Sequence, residues 1–139
     1  MLIEWSEKYA TGVEAIDRQH QEIFNQLNRL HDAITSGLGM EVVEDILEFA
    51  RDYAEQHFAY EESCMEQYRC PVAAENKAAH RSFIDGIERI QQEIERNGNE
   101  PGAVLALYRE LREWIQNHIL KIDTQLRTCS RSHEANGLT

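Results

Sequence analysis

The sequence predicts an all-α fold, an antiparallel up-down-up-down four-helix bundle with an N-terminal arm. The first observation is that helix-breaking residues are few and clustered, since the 139 residues include two prolines and seven glycines. These residues divide the chain into four segments of helical length. The second is that each segment carries apolar residues at steps of three and four, the period of an amphipathic helix. No segment shows a convincing period of two, so strands are not expected.

The predicted elements follow these breakers in order. The arm and the four helices are expected at about residues 1–11, 13–36, 41–67, 72–96 and 102–127. Connections of a few residues make neighbouring helices antiparallel. Residues 1–128 are therefore expected to form one domain, and residues 129–139 a polar tail or linker stub.

Composition narrows the class of protein. A formal net charge of −11 argues against binding to nucleic acid or to anionic lipid surfaces. Because the sequence has neither a secretory signal nor an apolar stretch of membrane-spanning length, a cytoplasmic protein is expected. The three cysteines, Cys64, Cys70 and Cys129, form no CxxC motif. Reduced thiols are therefore expected rather than a disulfide framework or a thiolate zinc site.

Polar residues interrupt the apolar stripes of all four predicted helices. Burying them without partners would be costly. They lie near the starts of the first and third helices and near the ends of the second and fourth, and an antiparallel bundle brings these positions to one end. These residues are His20, His57, Glu61, Asn76, His80, His118 and Asp123.

The spacing of these residues matches shared helix faces, with one exception. His57 and Glu61 are four residues apart, as are Asn76 and His80, so each pair shares a face. His118 and Asp123 are five apart, which rotates Asp123 by about 140° from His118 on a regular helix. We expect either that the carboxylate reaches inward from the flank or that the helix widens into a π-bulge.

Four imidazoles and two carboxylates without a thiolate suit iron, and two bridging carboxylates suit a pair of metals. A single histidine on an apolar stripe is more often a hydrogen-bonded core residue. His31 fits that interpretation, because it lies about 16 Å along the helix from His20. His133 lies in the predicted tail and has no expected role. The four remaining histidines occur at one level beside two carboxylates, which favours a metal site.

With these residues in place, the chain resembles the bacteriohemerythrin family from Trp5 to about Leu126. The matching stretches are Trp5, Gly12-Val13, Ile16-Asp17-Arg18-Gln19-His20, His57-Phe58-Ala59-Tyr60-Glu61-Glu62, His80-Arg81-Ser82-Phe83, Trp114, His118-Ile119 and Asp123. The resemblance implies two non-haem iron ions with an oxo or hydroxo bridge. By this analogy His20 and His57 hold one iron, which keeps an open position for dioxygen. By the same analogy His80 and His118 hold the second iron. Glu61 and Asp123 bridge both irons.

The chain departs from the family pattern at Asn76, where the family usually has a third histidine on the second iron. We expect water or hydroxide at the vacated position, held by Asn76, and easier oxidation of the centre as a result. This favours oxygen or redox sensing over bulk carriage. Phe24, Ile115 and Ile119 lie close to ligand positions and are expected to line an apolar pocket for the oxidant, although plain core packing explains them nearly as well.

Three functions compete on the sequence alone. The first is a dioxygen-binding domain for sensing, with a fused or separate signalling output domain as its partner. The second is a diiron enzyme that reduces peroxide or nitric oxide. The third is a metal-free interaction bundle. A ferritin-like oxidase is disfavoured, because that architecture uses two Glu-x-x-His motifs whereas this chain has His-x-x-x-Glu.

Overall fold

The computed structural model describes residues 3–37, 40–97 and 101–130. Its helices are α1 (Glu14–Thr35), α2 (Met40–Gln67), α3 (Ala73–Asn97) and α4 (Pro101–Lys121). Both α1 and α3 contact α2 and α4, so the four helices enclose one core. No strand occurs in the described part of the chain. The predicted four-helix bundle is confirmed, and the helix ends differ from the predicted ones by at most one residue, except at the C-terminal end of α4.

Two apolar clusters fill the interior. The main cluster runs along most of the bundle and includes Leu30, Leu47, Ile90 and Tyr108, all fully buried. A smaller group, here called the terminal cluster, lies at the end where α2 joins α3. It consists of Ile16, Cys64, Met65, Cys70, Leu126 and Cys129. Since Ile16 lies one turn before His20 and Met65 one turn after Glu61, the polar residues lie in a layer between the two clusters.

The predicted N-terminal arm packs on the bundle. It contains a short 3₁₀ helix, Glu7–Tyr9, whose Tyr9 is buried. Ile3 is also buried and exchanges two hydrogen bonds of 2.9 Å with the side chain of Asn28 on α1. The backbone N–H and hydroxyl of Thr11 both donate to Asp17 Oδ1 at 2.8 Å. These contacts fix the entry into α1 next to His20.

The prediction of a fourth helix continuing to residue 127 is wrong. Helix α4 ends at Lys121, a 3₁₀ turn spans Asp123–Gln125, and residues 126–130 are again helical. The break occurs at Ile122, whose backbone angles are φ −111° and ψ −56°. It turns Asp123 into the interior, where the residue is 1 % exposed. An interrupted helix therefore replaces both expected alternatives, and no π-bulge occurs in the described residues of this segment.

The expectation of three reduced cysteines is also wrong. Cys70 and Cys129 form a disulfide with a Cα–Cα distance of 5.4 Å, while Cys64 is a buried free thiol. The pairing partners are 59 residues apart, so no local spacing revealed them. Cys129 and Ser130 are helical and buried, and the described chain thus continues past the boundary expected at residue 128. Residues 131–139, including His133, lie outside the described residues.

None of the helices among the described residues combines the length and the apolar character needed to cross a bilayer.

Candidate metal centre

The structure brings the six predicted metal ligands together in one buried layer. His118 is the most exposed of them, at 6 %. Helices α1, α2, α3 and α4 and the 3₁₀ turn all contribute, so residues spread over about a hundred positions converge at one end of the bundle. The six are His20, His57, Glu61, His80, His118 and Asp123.

Glu61 lies at the centre of this layer, and its two oxygens face different histidines. Oε2 lies 2.9 Å from His20 Nε2 and 3.2 Å from His57 Nε2. Oε1 lies 3.0 Å from His80 Nε2. Glu61 is fully buried, so these imidazoles and Asn76 surround a carboxylate that water does not reach.

Asp123 divides its oxygens in the same way. Its Oδ2 lies 3.2 Å from His20 Nε2, and its Oδ1 lies 3.2 Å from His118 Nε2. Each carboxylate therefore faces two groups of histidines, one with each oxygen. The side chains that gather ligand atoms closely enough for an ion are His20, His57 and Glu61 in one group and Glu61, His80, His118 and Asp123 in the other.

Two buried atoms of the layer indicate that these residues fit a cation. His57 Nε2 and Asp123 Oδ1 each lie 3.2 Å from a polar neighbour, but the angles are not those of hydrogen bonds and neither atom has a hydrogen-bond partner in the described structure. Leaving buried polar atoms unsatisfied costs about 1–3 kcal/mol each. A cation bound by imidazole nitrogen and carboxylate oxygen would satisfy both atoms.

The electrostatics of the layer centre on His20. Burial lowers its pKa, but the hydrogen bonds and charges of Asp123 and Glu61 outweigh burial and raise that pKa to about 10. Burial would raise the pKa of Glu61, whereas its histidine neighbours hold it well below the ordinary value. Burial lowers the pKa of His57. The two carboxylates thus favour positive charge at this position, which a bound metal ion would supply.

Two residues outside the layer orient the histidine rings. His57 Nδ1 donates to Gln19 Oε1 at 2.6 Å, and His80 Nδ1 donates to Glu62 Oε2 at 2.9 Å. Both bonds leave Nε2 facing the carboxylates, the usual way that a protein fixes a metal-binding tautomer. Both residues lie within the sequence motifs, but the motifs alone indicate no role for them. Each is adjacent in sequence to a ligand and acts on a different helix, so only the helix packing reveals it.

Aromatic rings cover two of the ligands. Phe58 stacks on His80 with a centroid distance of 3.9 Å, and Trp114 stacks on His118 at 4.9 Å, both with planes 9° apart. Trp114 is four residues before His118, a spacing that could have indicated this contact. Above the layer, the main cluster contains an apolar cavity of about 10 Å³, lined by residues that include Leu27, Phe83 and Leu111.

The remaining predicted site residues are buried close to this layer. Asn76 is fully buried and hydrogen-bonded to both Glu61 and His118. Phe24, Ile115 and Ile119 are at most 1 % exposed and belong to the main cluster. Their burial agrees with core packing, and their role as pocket lining stays a prediction. His31 lies against Tyr108 in the main part of the bundle, away from the ligand layer as expected.

Comparisons with known proteins agree with this geometry. A family model described as the Hemerythrin HHE cation binding domain matches residues 11–128. A protein named bacteriohemerythrin from Stenotrophomonas maltophilia (strain R551-3) is 28% identical over 144 residues, covering 98% of this chain and 92% of the relative. One from Methylococcus capsulatus (strain ATCC 33009 / NCIMB 11132 / Bath) is 30% identical over 129 residues, covering 92% and 96%. One from Pseudomonas aeruginosa (strain LESB58) is 29% identical over 119 residues, covering 86% and 75%. The predicted family is confirmed, and this chain belongs to the hemerythrin family of cation-binding domains.

Proposed function

We propose that this chain is a non-haem diiron domain that binds dioxygen, in a sensing rather than a bulk-carriage role. The observation that carries the proposal is the division of Glu61 and Asp123, each of which faces histidines on two sides with its two oxygens. A carboxylate shared in this way suits two cations better than one. Imidazole and carboxylate donors without a thiolate suit iron.

In this proposal Glu61 and Asp123 would be shared between two iron ions, and each ion would have its own histidine pair. Two iron ions held there would supply the electrons that a small oxidant such as dioxygen takes up on binding. The first ion would be held by His20 and His57, and the second by His80 and His118.

The surroundings of the layer support a site for a small neutral oxidant. The main cluster covers the layer on one side and the terminal cluster on the other, so bulk water is kept away from the ligands. We propose Phe24, Ile115 and Ile119 as the apolar lining. Gln19 and Glu62 hold the His57 and His80 rings in a fixed direction, which keeps the donor atoms in place as the charge of the centre changes.

The sensing role is supported by a chain of hydrogen bonds that links the layer to the surface. A groove of about 320 Å³ between α2 and α3 is lined by Phe58, Glu62, Lys77, His80 and Arg81, among others. His80 contacts Glu61 with one nitrogen and Glu62 with the other. A change of charge at the iron pair would therefore alter the interactions of His80 and Glu62, which line this groove. A fused or separate output domain could respond to that change.

The cytoplasmic location stays a prediction. Disulfides such as Cys70–Cys129 are more common in proteins of oxidising compartments. The redox state of these two cysteines in cells would therefore test the predicted cytoplasmic location directly.

The proposal is tested by loading the metal-free chain with ferrous iron without oxygen, counting iron per chain and then recording optical spectra with dioxygen. We expect two irons per chain and an absorption band that disappears when dioxygen is removed. Glu61→Gln should lose at least one iron, whereas Glu66→Gln, an exposed position on the same helix, should keep both. Steady turnover of peroxide or nitric oxide with an electron donor would favour the enzyme instead. A chain that binds no iron would refute the proposal.

The preference for sensing over carriage has its own test at Asn76. If this residue eases oxidation of the centre, Asn76→His should slow autoxidation in air. Equal or faster autoxidation of the variant would contradict the sensing argument while leaving the iron pair intact.

A further inference from the structure

We propose that the side-chain oxygen of Asn76 is itself a ligand of the second metal position, and that it lets this position accept Mn²⁺ as well as Fe²⁺. The inference rests on the proposed metal pair. It replaces the water that the sequence analysis placed beside Asn76 with a direct bond from the protein.

The direction of the Asn76 amide follows from its neighbours. Its Nδ2 lies 2.9 Å from Glu61 Oε1 and 3.1 Å from Met65 Sδ. Both neighbouring atoms are acceptors, and only the nitrogen end of the amide can donate to them. The oxygen end therefore points the other way, where Oδ1 lies 2.6 Å from His118 Nε2. The hydrogen-bonding chemistry of the neighbours thus sets the orientation of this amide.

Asn76 Oδ1 lies directly beside a proposed ligand of the second position, since it is 2.6 Å from His118 Nε2. Imidazole nitrogen and carbonyl oxygen are both metal-ligand atoms. A cation within reach of His118 Nε2 is therefore also within reach of Asn76 Oδ1.

The backbone and Met65 position the amide for this role. Asn76 lies in the first turn of α3, where its N–H donates to Val72 O at 2.8 Å. Met65 is fully buried in the terminal cluster, and its sulfur accepts from the amide nitrogen. Asn76 is also fully buried, so water offers the amide no alternative partner. The amide cannot turn over without losing its bonds to Glu61 and Met65.

The donor set of the second position is therefore rich in oxygen. It contains two imidazoles, from His80 and His118, and three oxygen donors, from Glu61, Asp123 and Asn76. Carboxylate and carbonyl oxygens suit Mn²⁺, whereas imidazole favours metals later in the series, including iron. An amide oxygen in place of a third imidazole should therefore narrow the preference for Fe²⁺ over Mn²⁺ at this position.

The test is a titration of the metal-free full-length chain with Fe²⁺ and with Mn²⁺ under anaerobic conditions, with bound Mn²⁺ followed by electron paramagnetic resonance. Asn76→Ala should weaken binding of the second ion at least tenfold for both metals. Asn76→His should raise the preference for Fe²⁺ over Mn²⁺ at least tenfold. Met65→Leu should weaken the second ion about three- to tenfold, because the amide loses the acceptor that sets its direction. Asn25→Ala, an exposed position on α1, is the matched control.

The outcomes separate this inference from the proposed function. A wild-type chain that does not bind a pair of ions refutes the proposed function. A wild-type chain that binds two ions, with Asn76→Ala within twofold of it for both metals, refutes only the Asn76 ligand. Circular dichroism of the metal-free variants checks folding. If Asn76→Ala does not fold, the selectivity of Asn76→His decides, and an unchanged ratio of Fe²⁺ to Mn²⁺ affinity overturns the inference.

Discussion

The two ends of the bundle are stabilised by different interactions. Away from the ligand layer, Leu30, Val43, Leu47 and Val104 are fully buried and pack side chain to side chain. At the metal end, four imidazoles and two carboxylates occupy the interior instead, and buried charges are weak contributors to stability. That end is also held by the hydrogen bonds from Thr11 of the arm to Asp17 and by the Cys70–Cys129 disulfide. The apolar part therefore supplies most of the free energy of folding, whereas the arm and the disulfide hold the site in shape.

The largest expected effect comes from breaking the apolar end. Leu47 is fully buried and lies ten residues before His57, about 15 Å along α2. Leu47→Ala should lower the free energy of unfolding by roughly 2–5 kcal/mol through lost burial and an unfilled cavity. The iron content per folded chain should not change. Denaturant unfolding and an iron count measure the two quantities.

The matched control lies on the same helix. Phe49 is 54 % exposed, so Phe49→Ala should change the free energy of unfolding by no more than about 0.5 kcal/mol. Loss of iron from folded Leu47→Ala would show that the two ends are not independent.

The apolar end could be predicted almost fully from the sequence, and the ligand layer largely so. Steps of three and four residues mark the buried faces, and short connections order the helices. The same reasoning placed His20, His57, Glu61, His80, His118 and Asp123 at one end of the bundle. It did not predict how Asp123 turns inward, because a helix that stops at Lys121 and resumes at residue 126 leaves no periodic signal. The ring-orienting roles of Gln19 and Glu62 were not predicted, because the histidines that they bind lie on other helices.

The second prediction concerns removal of the disulfide that links two segments at the metal end. The disulfide joins positions 59 residues apart, and closing a loop of this size in the unfolded chain typically stabilises the fold by about 2–4 kcal/mol. The free energy of unfolding of Cys129→Ser should be lower by this amount. The variant should also release iron faster, because the disulfide holds residues 126–130, which lie close after the proposed ligand Asp123. Thermal unfolding with and without a dithiol reductant measures it, because the reductant should lower the melting temperature of the wild type but not of Cys129→Ser.

The free thiol provides the control and a dependence on pH. Burial raises the pKa of Cys64 above its ordinary value, so less thiolate is present at any pH below that raised pKa. A thiol reagent should therefore label the folded chain slowly at pH 8 and faster only well above pH 9, and should find one thiol per chain after unfolding without reductant. Three thiols before reduction would contradict the disulfide. Cys64→Ala should keep the response to reductant.

No sequence rule could have found this disulfide. Three cysteines allow three pairings or none, and the choice depends on where the chain goes after Asp123. Because the break at Ile122 redirects the backbone, Cys129 reaches Cys70 next to the turn between α2 and α3. The same break places the Asp123 carboxylate in the layer. The two wrong predictions, a fourth helix continuing to residue 127 and three reduced cysteines, thus have one structural cause.

The smallest expected effect lies within the metal end, where the outer partners of two ligands differ. His57 donates to a neutral amide, Gln19, whereas His80 donates to a carboxylate, Glu62. A carboxylate partner makes the imidazole a stronger donor. Glu62→Gln should therefore weaken the second metal ion about 10- to 100-fold, which corresponds to about 1.4–2.7 kcal/mol. Gln19→Glu should strengthen the first ion, because it gives His57 a charged partner.

These reciprocal substitutions test whether the partner's charge or merely its hydrogen bond matters. Glutamine at position 62 can still accept a hydrogen bond from His80, so a loss of affinity reports charge. Metal titration of both variants, with unfolding of the metal-free proteins as the folding check, measures it. If Glu62→Gln lowers the stability of the metal-free chain as much as Leu47→Ala does, the metal end contributes to folding as the apolar end does, and the contrast between the two ends is wrong. If it changes only the second ion, the polar end is specialised for binding and relies on the apolar end for its stability.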